Sequence, residues 1–110
     1  MNDRELLENA AKAAGYDVSW GQCITGIDVL YRVDEEGDHV NWSPLEDDGD
    51  AIRLAVIMEF DLSLGQAGTI VHMRRGTQNI EEYSDELMME AFRRSIVRAA
   101  AEIGKKQTPH

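Results

Sequence analysis

Residues 84–104 read Ser84-Asp-Glu-Leu-Met-Met-Glu-Ala-Phe-Arg-Arg-Ser-Ile-Val-Arg-Ala-Ala-Ala-Glu-Ile-Gly104. Met88, Phe92, Ile96, Ala99 and Ile103 recur at the three-to-four-residue spacing that lines one side of a helix. Ser84 or Asp85 can cap its start, and Gly104 is placed to stop it near Ile103. Asp85, Glu86 and Glu90 lie early and Arg93, Arg94, Arg98, Lys105 and Lys106 late, the order that suits a helix dipole. A helix this long and this amphipathic needs a sheet or other helices to cover it, so the rest of the chain is read for what supplies that cover.

At the other end, Asp3–Ala14 carries Leu6, Leu7, Ala10, Ala13 and Ala14 on one stripe. Asn2 stands at the cap with Glu5 three residues on, and Gly15 follows at the position that favours a left-handed residue. Tyr16–Gln22 alternates, with Tyr16, Val18 and Trp20 against Asp17 and Ser19. Gly26–Val33 does the same, with Ile27, Val29, Tyr31 and Val33 on one face. The segment 34–38 is an acidic loop turning at Gly37.

A second helix is announced by Ser43-Pro44-Leu45-Glu46, a capping box with proline at the first helical position. Gly49 costs about 1 kcal/mol relative to alanine inside a helix, so this first turn can be separate, with Asp47 or Asp48 capping a main helix from Ala51 to about Phe60. Phe60, Leu62 and Leu64 alternate, which allows an extended exit. Thr69–Arg74 is a third strand, and Thr77–Tyr83 a fourth, weakened by Glu81 and Glu82. The expectation is α+β, in the order α-β-β-α-β-β-α. It takes the form of a three-layer α/β/α sandwich whose small, mostly antiparallel sheet of about four strands carries helices on both faces. One domain would occupy residues 1–104, with 105–110 a polar tail.

Charge narrows the function. The chain of 110 residues has a formal net charge of −10. Residues 1–50 hold 13 Asp and Glu against 3 Lys and Arg, whereas residues 51–110 hold 8 of each. Between Asp34 and Asp50 there are 8 carboxylates and no Lys or Arg. Such a surface argues against nucleic acid and against an anionic membrane, and it suits a protein partner with a basic surface. No apolar run approaches the roughly 20 residues of a membrane span. The polar, acidic start, Met1-Asn2-Asp3-Arg4-Glu5, has no signal-peptide pattern, and the single Cys23 forms no internal disulfide. The expectation from these features is a cytoplasmic chain.

Motifs for chemistry are few. Glu46-Asp47-Asp48-Gly49-Asp50 invites a calcium or magnesium reading, and a small metal-dependent hydrolase using Asp47, Asp48 and Asp50 is the alternative function. The spacing of a helix-loop-helix calcium loop is absent, because the twelfth position from Asp47 is Met58. Carboxylates that cap a helix and favour its positive end account for the cluster more simply. His39, His72 and His110 show no zinc spacing, Cys23 has no matched base, and no glycine-rich phosphate loop occurs. No cofactor is expected, and the question of an enzyme leans toward no. Trp20 and Trp42 read as sheet packing, with ligand stacking as the other possibility.

The stretch from Trp42 to Val56, Trp-Ser-Pro-Leu-Glu-Asp-Asp-Gly-Asp-Ala-Ile-Arg-Leu-Ala-Val, resembles the phage ABA sandwich domain. So does the stretch from Arg93 to Lys105, Arg-Arg-Ser-Ile-Val-Arg-Ala-Ala-Ala-Glu-Ile-Gly-Lys. The family pattern favours Asn at position 43 and Leu at position 52, where this chain has Ser43 and Ile52. The resemblance implies a helix–sheet–helix sandwich, a phage or prophage origin and residence in a bacterial host cell. It implies no activity and no catalytic residue.

The expected function is a non-enzymatic interaction protein. Asp34, Glu35, Glu36, Asp38, Asp47 and Asp48 supply the charge, and Trp42 the apolar anchor within it. An oligomeric structural component, including a homodimer that protects sheet edges, is a further expectation.

Overall fold

A computed structural model describes residues 1–22, 24–65, 68–73, 79–82 and 88–107. The protein is α+β, with helices α1 (Asp3–Ala14), α2 (Asp48–Ile57) and α3 (Met88–Lys106). Its strands are β1 (Val18–Gln22), β2 (Asp28–Val33), β3 (His39–Asn41), β4 (Phe60–Gly65), β5 (Gly68–Met73) and β6 (Asn79–Glu82). The strands form two antiparallel three-stranded sheets, β1-β2-β3 and β4-β5-β6. A run of three strands followed by a helix therefore occurs twice after α1.

Two of these strands depart from the expected four. β3 is only three residues long, too short to show alternation, and it forms because the turn at 34–38 folds the chain back onto β2, pairing Val33 with His39 and Tyr31 with Asn41. β4 takes up the alternating exit of α2, so α2 ends at Ile57 rather than near Phe60. The segment 74–78, the expected cap at Ser84 or Asp85, and Cys23 lie outside the described residues, as do the surroundings of the His72 side chain.

Helix α1 has the expected bounds. The Asn2 side chain accepts a hydrogen bond from the Glu5 N–H at 2.8 Å, and Gly15 closes the helix at φ 78°. The alternation of β2 is correct but its phase is reversed. Leu30 is the buried residue, whereas Ile27 and Val33 of the expected apolar face are exposed. The register explains this: Leu30 pairs with Trp20, and Arg32 with both Val18 and Val40, so Leu30 shares its face with the indole. Both faces of β2 are apolar enough that composition alone does not choose between them.

Helix α3 is the centre of the packing. It lies against α1, α2, β5 and β6. Phe92, Ser95, Ile96, Val97, Ala99, Ala100 and Ala101 are all buried, more of the helix circumference than one stripe. The apolar ones join Leu6, Ala10 and Ala11 of α1, Ala51, Leu54 and Ala55 of α2, and Leu30 and Trp42 in one core. The helix also runs through Gly104 to Lys106, so Gly104 is not a stop and the polar tail does not begin at 105. Gly104 is instead where α3 meets α1. A Cβ there would overlap the backbone carbonyl of Asn9. Among the described residues no helix is long and apolar enough to cross a membrane.

Candidate functional site

The acidic stretch 34–50 divides into two parts with different work. In the second part three of the four carboxylates, Asp47, Asp48 and Asp50, are consumed by local structure, and Glu46 is exposed. Ser43 to Asp47 makes one isolated turn, with the Glu46 and Asp47 N–H groups both donating to the Ser43 carbonyl at 3.0 and 2.7 Å. The helix proper restarts at Asp48, because Asp47 caps it by accepting from the Asp50 N–H at 2.8 Å. Asp50 reaches back to the Ser43 N–H at 3.0 Å and pairs with Arg53 at 2.9 Å. Asp48 pairs with Arg93 of α3 at 2.6 Å, and the same guanidinium donates to the Leu45 carbonyl.

Asp47, Asp48 and Asp50 thus point at three different partners. They do not converge, and among the described residues no group of three or more His, Cys, Asp or Glu side chains is arranged to hold a metal ion. Trp42 is also not an anchor offered to a partner. It is 2% exposed, with its ring edge-on to Tyr16 at 5.5 Å between centroids. The apolar residue inside the charged run belongs to the core, because its N–H continues the β2–β3 ladder to the Leu30 carbonyl and carries the indole to the inner face.

The first part, 34–38, is the tip of the β2–β3 hairpin. The Asp34 carboxylate accepts the N–H groups of Glu36 and Asp38 at 2.9 and 2.8 Å. The Asp34 N–H donates to the Asp38 carbonyl at 2.8 Å, and Gly37 takes φ 88°, a left-handed conformation that glycine adopts without strain. The turn is therefore held by one carboxylate, while Glu35, Glu36 and Asp38 remain exposed. These three carboxylates are presented outward together at the tip, without a side-chain partner among the described residues.

Beside this tip lies a groove of about 510 Å³, between the end of β2 and helix α2. Its aliphatic lining is Val33, Ile52, Val56 and Ile57, at 37, 48, 70 and 47% exposure. Tyr16, Arg32, Asp34, Glu35 and Arg53 form its ends and rim. The Arg32 guanidinium lies 5.2 Å from the Tyr16 ring, and Arg53 is held by Asp50. Helix α2 explains the exposed lining. Its core side is Ala51, Leu54 and Ala55, so Ile52 and Val56, one turn apart, fall on the opposite side. Spacing along the chain does not single these residues out as a surface. The available signal was a short helix apolar on two faces, where one face satisfies the core.

A second depression, also of about 510 Å³, opens over Trp20 where α1 and α3 begin. Its two guanidinium groups are already engaged, Arg93 with Asp48 and Arg94 with Asp3 at 3.0 Å. The Arg4 guanidinium covers the Trp20 ring at 4.4 Å and sits 3.6 Å from Asp28. The side chains here tie α1 to α3 and to the hairpin.

Comparison of the chain with protein-family models, with curated proteins and with solved structures finds no match.

Proposed function

We propose that this chain is a non-enzymatic interaction protein that uses the acidic tip of the β2–β3 hairpin to meet the basic surface of another protein. One observation carries the reading. Glu35, Glu36 and Asp38 project from a turn fixed by Asp34, immediately beside an uncovered aliphatic face. A preordered charged tip steers a partner of opposite sign at little entropic cost, and an adjoining apolar patch supplies the burial that holds it. The resemblance of residues 42–56 and 93–105 to the phage ABA sandwich domain supports a phage or prophage origin, a layered α/β/α arrangement and residence in the cytoplasm of a bacterial host.

The test is the association rate of the captured partner with the parent protein and with a Glu35→Gln/Glu36→Gln/Asp38→Asn variant, across ionic strength. The parent rate falls with salt, and the variant binds more slowly and with a shallower salt dependence. Equal rates at low salt would remove the acidic tip from recognition. Asp34 is left in place in this variant because it builds the turn.

A further inference from the structure

The groove beside the acidic tip has walls that restrict what can fill it. One wall is the end of β2, the central strand of its sheet. Val33 is paired on both sides, through its N–H to the Asp17 carbonyl at 3.2 Å and through its register with His39. The other wall is the side of α2, whose backbone groups run along the helix axis rather than out of its side. Neither wall presents a row of free backbone donors and acceptors, so an added strand has nothing to pair with. What the groove does present is side chains: Val33 facing Ile52 and Val56, which are one helical turn apart. That is the surface into which an amphipathic helix lays its apolar face.

Charge selects between occupants. The segments framing the groove, 16–17, 32–38 and 50–57, contain six carboxylates and two guanidinium groups. Arg53 is neutralised by Asp50, and the Arg32 guanidinium is held over Tyr16 at one end. A second copy of this chain would bring the same acidic frame against itself, and like charges across an interface are strongly unfavourable. A helix whose apolar face is flanked by Lys or Arg would meet the aliphatic floor and the outward carboxylates together. We propose that the groove between β2 and α2 receives an amphipathic, basic helix of a partner protein. Its aliphatic side chains, one turn apart, seat on Val33, Ile52 and Val56, and its cationic flank faces Glu35, Glu36 and Asp38. This assignment rests on the interaction-protein reading and adds to it the place and the form of the partner.

The test uses the full chain and three synthetic helical peptides: one of Leu and Lys in amphipathic order, one with Glu replacing Lys, and one with Ser replacing Leu. Binding is followed by backbone amide shifts and by titration. The Leu/Lys peptide is expected to bind, with its largest shifts at Val33, Ile52, Val56 and Ile57, while the other two do not. An Ile52→Ser/Val56→Ser variant is expected to bind it at least about tenfold more weakly, equivalent to roughly 1.4 kcal/mol, which is less than full burial of one aliphatic side chain supplies. Both residues are exposed, so the folded state is retained, and circular dichroism verifies this. Shifts centred elsewhere, equal binding by the Ser variant, or binding of the Glu peptide would overturn the assignment. So would a concentration-dependent dimer that the Ser variant abolishes, because the second copy would then be the occupant. If the Ser variant loses binding but neutralising Glu35, Glu36 and Asp38 has no effect, the aliphatic seat stands, while the acidic-tip reading and the placement of the cationic flank both fall.

Discussion

Gly104 of α3 lies directly against the backbone carbonyl of Asn9 in α1, with no room for a Cβ between them. Arg94 pairs with Asp3 near the start of both helices, so α1 and α3 run in the same direction and close on each other toward Gly104. Ala10 and Ala11 on α1 and Ala100 and Ala101 on α3, all fully buried, continue the small-residue seam.

Gly104→Ala should therefore destabilise the protein, although alanine is the better helix former. The added methyl meets backbone, which cannot rotate away as a side chain would. Separating the two helices forfeits packing along the seam, so a loss of about 3 kcal/mol is expected in denaturant unfolding. Neutral or improved stability would show that the helices are not in this contact.

Asp47→Ala removes the cap of α2 and should lower stability by about 0.5–2 kcal/mol. Millimolar calcium or magnesium should leave the melting temperature of the parent nearly unchanged, since Asp47, Asp48 and Asp50 are directed to separate partners. A rise of many degrees, lost in Asp48→Ala, would restore the metal reading of the cluster.

Glu59 follows α2 at φ 57°, in the left-handed region where a Cβ is strained. Glycine relieves the strain and alanine does not. Because Glu59→Gly and Glu59→Ala both delete the carboxylate, their difference isolates the backbone. The glycine variant should be the more stable of the two by about 1 kcal/mol in paired thermal melts. An equal pair would place residue 59 outside that conformation.

Trp42→Ala should cost about 3–5 kcal/mol, because it empties a fully enclosed site and removes the ring edge-on to Tyr16. Chemical denaturation measures this. A loss below 1 kcal/mol would mean that the indole is on the surface and available to a partner.

Trp42 also shows what the sequence could and could not reveal. Periodicity and caps identify α1 to its exact ends, the hairpin β1–β2 and the existence of α3, because each is settled by neighbours a few residues away. Ser43–Asp47 is a separate turn as expected, but the break comes at the Asp47 cap and not at Gly49, which lies inside α2, so the helix begins at Asp48 rather than Ala51. Local spacing does not say which face of β2 turns inward, since Leu30 is chosen by its pairing with Trp20 across the sheet. It does not distinguish Gly104 as a stop from Gly104 as a contact, because Asn9 lies 95 positions away in the chain. It does not separate a tryptophan in an acidic run from one in the core. The candidate groove was hidden for the same reason: Val33 and Val56 meet only in the folded chain.

The last prediction separates the two roles of the acidic tip. Asp34 accepts two backbone N–H groups, so its charge is part of the turn, whereas Glu35, Glu36 and Asp38 accept no hydrogen bond from a described side chain or backbone group through their carboxylates. Asp34→Ala should lose about 1–2 kcal/mol, the worth of two hydrogen bonds to a charged acceptor in a solvated turn. Asp34→Asn keeps an acceptor oxygen and should lose less. Replacing Glu35, Glu36 and Asp38 with their amides should leave stability unchanged or raise it slightly at low salt, because it relieves repulsion in a chain of net charge −10. Thermal melts at low and high ionic strength distinguish these cases: the gain from the triple variant fades with salt, and the loss in Asp34→Ala persists. A triple variant as unstable as Asp34→Ala would mean that all four carboxylates hold the turn, leaving none free to recognise a partner.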